Sequence, residues 1–187
     1  MITDLVHNAI EADAAQITLI MEENRSKLHV VIADDGAGMS DEILAKARDP
    51  FWSDGRKHRH RKVGLGLPFL YQTAELTGGN VEVESALGTG TTVRFTLDRQ
   101  HVDLPAFGNF VSAATTLLTY TTGTNLTIDR SVKEKRYTVS SRDLVEVLGD
   151  LNDSANLSML KAYIRENENQ IGSTSDESDG CMNPSNR

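Results

Sequence analysis

Four short segments hold the residues able to do chemistry: Asp4-Leu5-Val6-His7-Asn8-Ala9, Asp34-Asp35-Gly36-Ala37-Gly38-Met39, Val63-Gly64-Leu65-Gly66-Leu67 and Gly88-Thr89-Gly90-Thr91. The first puts a carboxylate and an amide one helical turn apart, so both project from one face. The second places two carboxylates and two glycines at a turn after an apolar run, where a side chain can be held rigidly at a pocket floor. In the third, glycines opening a helix leave backbone N–H groups and the positive helix end free to meet phosphate oxygens. Any one of these alone reads as an ordinary turn or a solvated helix face. Set in this order between apolar periodic segments, they need a common explanation, and a nucleotide pocket supplies one.

A run of cations lies between the second and third segments. Arg56, Lys57, Arg59, Arg61 and Lys62 carry full positive charges, interleaved with His58 and His60. The stretch from Ser53 to Lys62 has almost nothing to bury, and it is expected to form a mobile loop. Charge runs are usually solvated faces, but a loop that closes over phosphates needs cations. Lys57, Arg61 and Lys62 are the candidates for that contact.

The rest of the composition narrows the class. The chain has 187 residues and a net charge of −8, with a pI near 5.1, a balance that argues against broad nucleic-acid or anionic-membrane binding. The single cysteine, Cys181, lies in a polar tail, so no disulfide framework or cysteine-ligated metal site is expected. No apolar run approaches the roughly 20 residues of a membrane helix, and no signal-peptide pattern opens the sequence. A cytoplasmic protein is expected.

The elements that must position these residues follow from periodicity. Leu5, Val6, Ala9 and Ile10 share one helical face up to about Ala12, with Thr3 as the expected N-cap. Gln16 to Glu22 and Leu28 to Ala33 read as a hairpin of strands joined by Glu23 to Lys27. Ser40 caps a short helix that must stop by Asp49, because Pro50 disfavours helix before it. A helix from about Gly66 to Leu76 ends at Gly78-Gly79, and alternating strands follow at Asn80 to Ser85 and Thr91 to Leu97. Beyond Gln100 the pattern gives a helix from Phe107 to Tyr120, a hairpin from Asn125 to Asp129 and Lys135 to Ser140, and helices near Arg142 to Leu148 and Asn156 to Glu166. The tail from Gln170 to Arg187 has no core-forming pattern. The expected fold is α+β: a layer of helices on one face of a mostly antiparallel sheet, at residues 1–100. Residues 101–169 are expected as a small appended α+β docking unit, and residues 170–187 as a disordered tail.

Residues 1–100 resemble the ATP-binding domain of the GHKL superfamily, which takes in gyrase, heat-shock ATPases, sensor histidine kinases and mismatch-repair ATPases. The resemblance rests on the order and spacing of the four segments. It implies a two-layer α/β sandwich of the GHKL (Bergerat) type and a site for ATP with Mg2+. It also implies roles for single residues. Asn8 ligates magnesium through its amide oxygen, a hard donor. Asp34 accepts a hydrogen bond from the adenine amino group, selecting adenine over guanine. Gly36 and Gly38 belong to the same turn, and Gly38 lets the backbone approach the ring. Met39 walls the base, and Thr91 supports the adenine contact from a neighbouring strand, often through water. Gly64, Leu65, Gly66 and Leu67 form the hinge of a lid, and Asp49-Pro50-Phe51-Trp52 resembles the aromatic box at its other end.

Asp4 discriminates within the superfamily. Hydrolytic members carry a carboxylate there that orients or deprotonates water, while many sensor kinases carry an amide. Asp4 is one methylene shorter than the usual glutamate, so slow hydrolysis is the expectation. Only seven residues precede Asn8, so any phosphoacceptor is expected on another protein. The overall pattern, with His101-Val102-Asp103-Leu104-Pro105 and Leu148-Gly149-Asp150, resembles small stand-alone ATP-binding proteins associated with electron-bifurcating iron-only hydrogenases of anaerobic bacteria. That likeness implies an ATP-binding accessory or regulatory subunit of a multi-subunit redox complex, with protein partners. The alternative is a histidine- or serine-kinase module acting in trans.

Overall fold

A computed structural model describes residues 1–47, 66–120 and 123–172. In chain order the elements are α1 (Ile2–Glu11), β1 (Gln16–Glu23), β2 (Lys27–Asp34), α2 (Asp41–Lys46), α3 (Gly66–Leu76), β3 (Asn80–Ala86), β4 (Gly90–Asp98), α4 (Phe110–Tyr120), β5 (Asn125–Val132), β6 (Lys135–Ser140), α5 (Ser141–Leu148) and α6 (Ser154–Ile171). The six strands form one sheet in the order β3-β4-β2-β1-β5-β6. Every neighbouring pair is antiparallel except β1 and β5, which run parallel. A parallel neighbour needs a long crossover, and the intervening helices and strands provide it.

Strand alternation sorts the two faces. Ile17, Leu19 and Met21 on β1, Leu28, Val30 and Ile32 on β2, Val93, Phe95 and Leu97 on β4, and Leu126 and Ile128 on β5 are buried. They form one continuous core with Leu5, Val6 and Ala9 of α1, Leu70 and Ala74 of α3, Leu117 and Leu118 of α4, and Leu160 and Ile164 of α6. The residues between them on the strands, such as Thr18, His29, Arg94 and Asp129, are only partly covered. The result is the expected α+β arrangement, helices on one face of a sheet.

The strands run somewhat longer than the sequence reading has them, β5 reaching Val132 and not Asp129, and three helix boundaries differ for local reasons. Thr3 is not an N-cap: α1 already starts at Ile2, and Met1 precedes it without a side-chain cap. The helix expected from Phe107 begins at Phe110, with the Asn109 Oδ1 accepting from Ser112 N at 2.9 Å. At the C-terminal end, Asp153 starts α6 by accepting from Ala155 N and Asn156 N, and the helix runs to Ile171 before Gly172 ends it at φ +73°. Gln170 and Ile171 are therefore helical.

The hairpin of residues 125–140 does not make a separate sheet. β5 joins the edge of β1 from Gln16↔Asn125 to Glu23↔Val132. Removing the α6 cap tests how much this helix holds down that edge. Asp153→Ala should lower stability by about 0.5–2 kcal/mol, read as a lower urea midpoint at unchanged slope.

Candidate nucleotide site

Asp34 ends β2, and its register partner on β4 is Thr91. Its Oδ1 accepts from the backbone N–H of Gly36 at 2.9 Å and of Thr91 at 3.3 Å. Burial pushes the Asp34 carboxyl above its ordinary value; these two hydrogen bonds pull it down, and the Asp35 charge adds to the upward shift. A partly desolvated carboxylate fixed by two backbone donors is oriented before any ligand arrives.

The turn after it is tied on three sides. Asp35 Oδ1 accepts from Gln16 N at 2.8 Å, so this carboxylate locks the turn to β1. Ala37 N donates to Ala12 O at 2.8 Å, and Gly88 N donates to Ala37 O at 2.8 Å. Met39 N donates to Ser85 Oγ at 2.8 Å, and Ser85 Oγ in turn lies 2.8 Å from Thr91 Oγ1.

Glycine is required at two of these crossings. Gly38 has φ +64°, and a Cβ there would lie 2.0 Å from Ala86 O. Gly90 has φ +112°, and its Cβ would lie 1.9 Å from Asp34 O. No side chain fits either position. The structure thus brings Asp34, Gly36, Gly38, Met39 and Thr91 into one cluster.

The second half of the site is α1. Leu5, Val6 and Ala9 are buried, which anchors one face of the helix and leaves Asp4 and Asn8 one turn apart on another. Ala12, at the C-terminal end of α1, meets the turn directly: a Cβ on Gly36 would lie 2.8 Å from Ala12 O. Asn8 lies one turn earlier on the same helix. Asp4 is half-exposed, with Oδ2 at 3.1 Å from the Met1 amino group.

The start of α3 closes on α1 at the same place, since a Cβ on Gly66 would lie 3.0 Å from Asp4 Cβ. Leu67 packs against the core. Lys57, Arg61, Lys62, Gly64 and Leu65, with Asp49-Pro50-Phe51-Trp52, lie outside the described residues. No group of three His, Cys, Asp or Glu side chains able to hold a metal occurs among the described residues.

Sequence reasoning missed Ser85, the hydroxyl joining the turn to β4. It also missed a buried ionic network at the other end of the sheet. Glu23 pairs with Arg99 at 2.7 Å and with Arg130. Arg130 Nε lies 3.6 Å from Glu168 Oε1, and Tyr137 Oη donates to that same oxygen at 2.7 Å. Burial, then the hydrogen bond to Glu168, raises the Tyr137 phenol above its ordinary value. The signal was present in the alternation, because Glu23 and Arg130 occupy apolar-face positions of β1 and β5.

Residues 1–101 match the family described as histidine kinase-, DNA gyrase B-, and HSP90-like ATPase. The chain belongs to that family. Among curated relatives of this ATPase family member, histidine protein kinase DivJ of Caulobacter vibrioides is 36% identical over 96 residues, covering 50% of this chain and 16% of that protein. Sensor protein SrrB of Staphylococcus aureus is 33% identical over 96 residues, covering 49% of this chain and 16% of SrrB. The chain thus spans about a sixth of the length of these relatives. Among solved structures, the N-terminal domain of a DNA repair protein matches with a TM-score of 0.53 and 14% identity, over 83% of this chain and 56% of that one. That likeness is one of fold. No helix among the described residues is long and apolar enough to cross a membrane.

Proposed function

We propose that this chain binds Mg-ATP at the Asp34 turn and passes the γ-phosphoryl group to an acceptor side chain on a separate protein, in the cytoplasm. The observation that carries the reading is the Asp34 carboxylate, oriented by Gly36 and Thr91 between two glycine crossings and next to the helix bearing Asn8. Family membership and the kinase relatives support a phosphoryl chemistry for it.

Asp34 accepts from the adenine amino group, Gly38 admits the ring edge, Met39 flanks it and Thr91 backs the carboxylate. Asn8 supplies an amide oxygen to Mg2+, a cation that neutralises charge on the phosphates. In the transfer, an acceptor nitrogen or oxygen forms a bond to the γ-phosphorus while the bond from that phosphorus to the β,γ-bridging oxygen breaks, releasing ADP, and the acceptor loses its proton to solvent. Gly66 and Leu67, with Gly64, Leu65 and the lid cations Lys57, Arg61 and Lys62, complete the phosphate side of this reading.

Asp4 favours a second outcome, hydrolysis, because it places a half-exposed carboxylate one turn before Asn8. An accessory subunit of a hydrogenase-type complex, the reading suggested by sequence resemblance, finds no counterpart among the kinase relatives, so phosphotransfer leads. Two variants separate the outcomes. Asn8→Ala should weaken ATP binding in magnesium by roughly tenfold, about 1.4 kcal/mol, and leave binding in excess EDTA unchanged. Asp4→Asn should lower phosphate release several-fold at unchanged ATP affinity, as loss of a general base does. Phosphate release identical in Asp4→Asn and wild type would remove Asp4 from the chemistry.

A further inference from the structure

Ser85, Thr91 and Asp34 stand side by side in register across β3, β4 and β2. Two residues along each strand lie Val83, Val93 and Ile32, which pack in or against the core, so the three polar side chains end apolar rows on the helix-facing side of the sheet. Ser85 Oγ makes three short contacts there: Met39 N at 2.8 Å, Gly90 O at 3.0 Å and Thr91 Oγ1 at 2.8 Å. A hydroxyl has one proton to give and two lone pairs. The Met39 amide only donates and the Gly90 carbonyl only accepts, so Ser85 takes a proton from the first and gives its own to the second. For the third contact only the Thr91 proton is left, and Thr91 donates it to Ser85. If Ser85 instead donated to Thr91, it would face the Gly90 carbonyl oxygen at 3.0 Å with no proton between them.

We infer that Ser85 is a positioning residue that sets the polarity of the base site. By holding the Thr91 proton it leaves Thr91 with lone pairs alone, an acceptor beside the Asp34 carboxylate, and the two acceptors together select a 6-amino purine over a 6-oxo purine. The inference rests on the Mg-ATP reading above and adds to it the residue that fixes its selectivity. An adenine amino group carries two N–H bonds, one for each acceptor. The oxo group of hypoxanthine or guanine brings lone pairs to both, and a polar contact without a proton is what a site rejects most strongly. Without the Ser85 hydroxyl, Thr91 is free to turn its proton toward an oxo group, and one of the two repulsive contacts becomes a hydrogen bond.

Inosine triphosphate is the probe, because it carries the 6-oxo group and lacks the 2-amino group of GTP. ATP and inosine triphosphate are titrated calorimetrically into the full chain with Mg2+. Wild type should favour ATP. Ser85→Ala should lower the ratio of the two affinities by roughly fivefold or more, and Ser85→Thr, which keeps the hydroxyl, should stay within about twofold of wild type. Thr91→Val removes the hydroxyl through which Ser85 acts, so adding Ser85→Ala to it should leave the ratio where Thr91→Val alone puts it. A merely structural Ser85 would weaken both nucleotides together, with or without Thr91. Should Ser85→Ala not fold, Ser85→Cys takes its place in the cycle, since a thiol is a weak donor and a weak acceptor. Equal binding of ATP and inosine triphosphate by wild type, an unchanged ratio in the folded Ser85 variant, or the same change of ratio in the Thr91→Val background overturns the inference and leaves Mg-ATP binding standing. Binding of neither nucleotide by wild type overturns the Mg-ATP reading, and this inference with it.

Discussion

Asp34→Asn is expected to separate ligand binding from stability. The variant keeps an oxygen for the Gly36 and Thr91 N–H groups but loses the charged acceptor that the proposed function assigns to the adenine amino group, so ATP affinity should fall by about 1–3 kcal/mol, roughly 5- to 150-fold, while selection over GTP collapses. The free protein should respond in the opposite sense. Because burial raises the Asp34 pKa in the folded chain, the stability tied to its protonated form is complete below the ordinary carboxylate pKa and is lost as pH rises through the raised value. Asparagine does not ionise. At pH 7 without nucleotide the variant should therefore melt at or above wild type, and the difference should shrink on acidification. Calorimetric titration and melting curves read both sides, and unchanged ATP affinity would remove Asp34 from the adenine contact.

The second large effect belongs to the buried ionic network. Arg130 is 3% exposed and pairs with Glu23, while Glu168, also 3% exposed, lies beside it. Arg130→Ala withdraws the cation shared by the buried Glu168 and the partly buried Glu23 carboxylates. Glu23 keeps Arg99 and Glu168 keeps the Tyr137 hydroxyl, but each then holds its charge in a drier setting with less compensation. Breaking such a pair from one side costs about 3–5 kcal/mol, which for a chain of this size corresponds to about 6–20 °C in melting temperature. Arg130→Met combined with Glu168→Gln, which removes charge from both partners, should recover much of the loss. A melting temperature for Arg130→Ala within about 2 °C of wild type would show that the network contributes nothing to stability.

The sequence by itself determined the two-layer arrangement and the cluster at Asp34. Period-2 alternation in residues 16–34 and 80–97 fixes which strand face is buried, and the helical period of Leu5, Val6 and Ala9 fixes which face of α1 meets it. Gly38 and Gly90 lay in glycine segments that the sequence singled out, but what requires glycine there is tertiary: a Cβ at Gly38 would strike Ala86 O and one at Gly90 would strike Asp34 O. Ser85 was not legible, because a strand serine becomes a link only when the turn at Met39 is folded against it. The same holds for Glu23 and Arg130. The sequence reading puts Glu23 in the loop after β1 and stops the later strand at Asp129; only the parallel pairing of β1 with β5, between residues over 100 apart in sequence, extends both strands and decides that their charges meet. That pairing also decided that the hairpin of residues 125–140 extends the ATPase-family sheet. Local periodicity encodes what each strand buries; which strand lies beside it is set by long-range packing that no short segment contains.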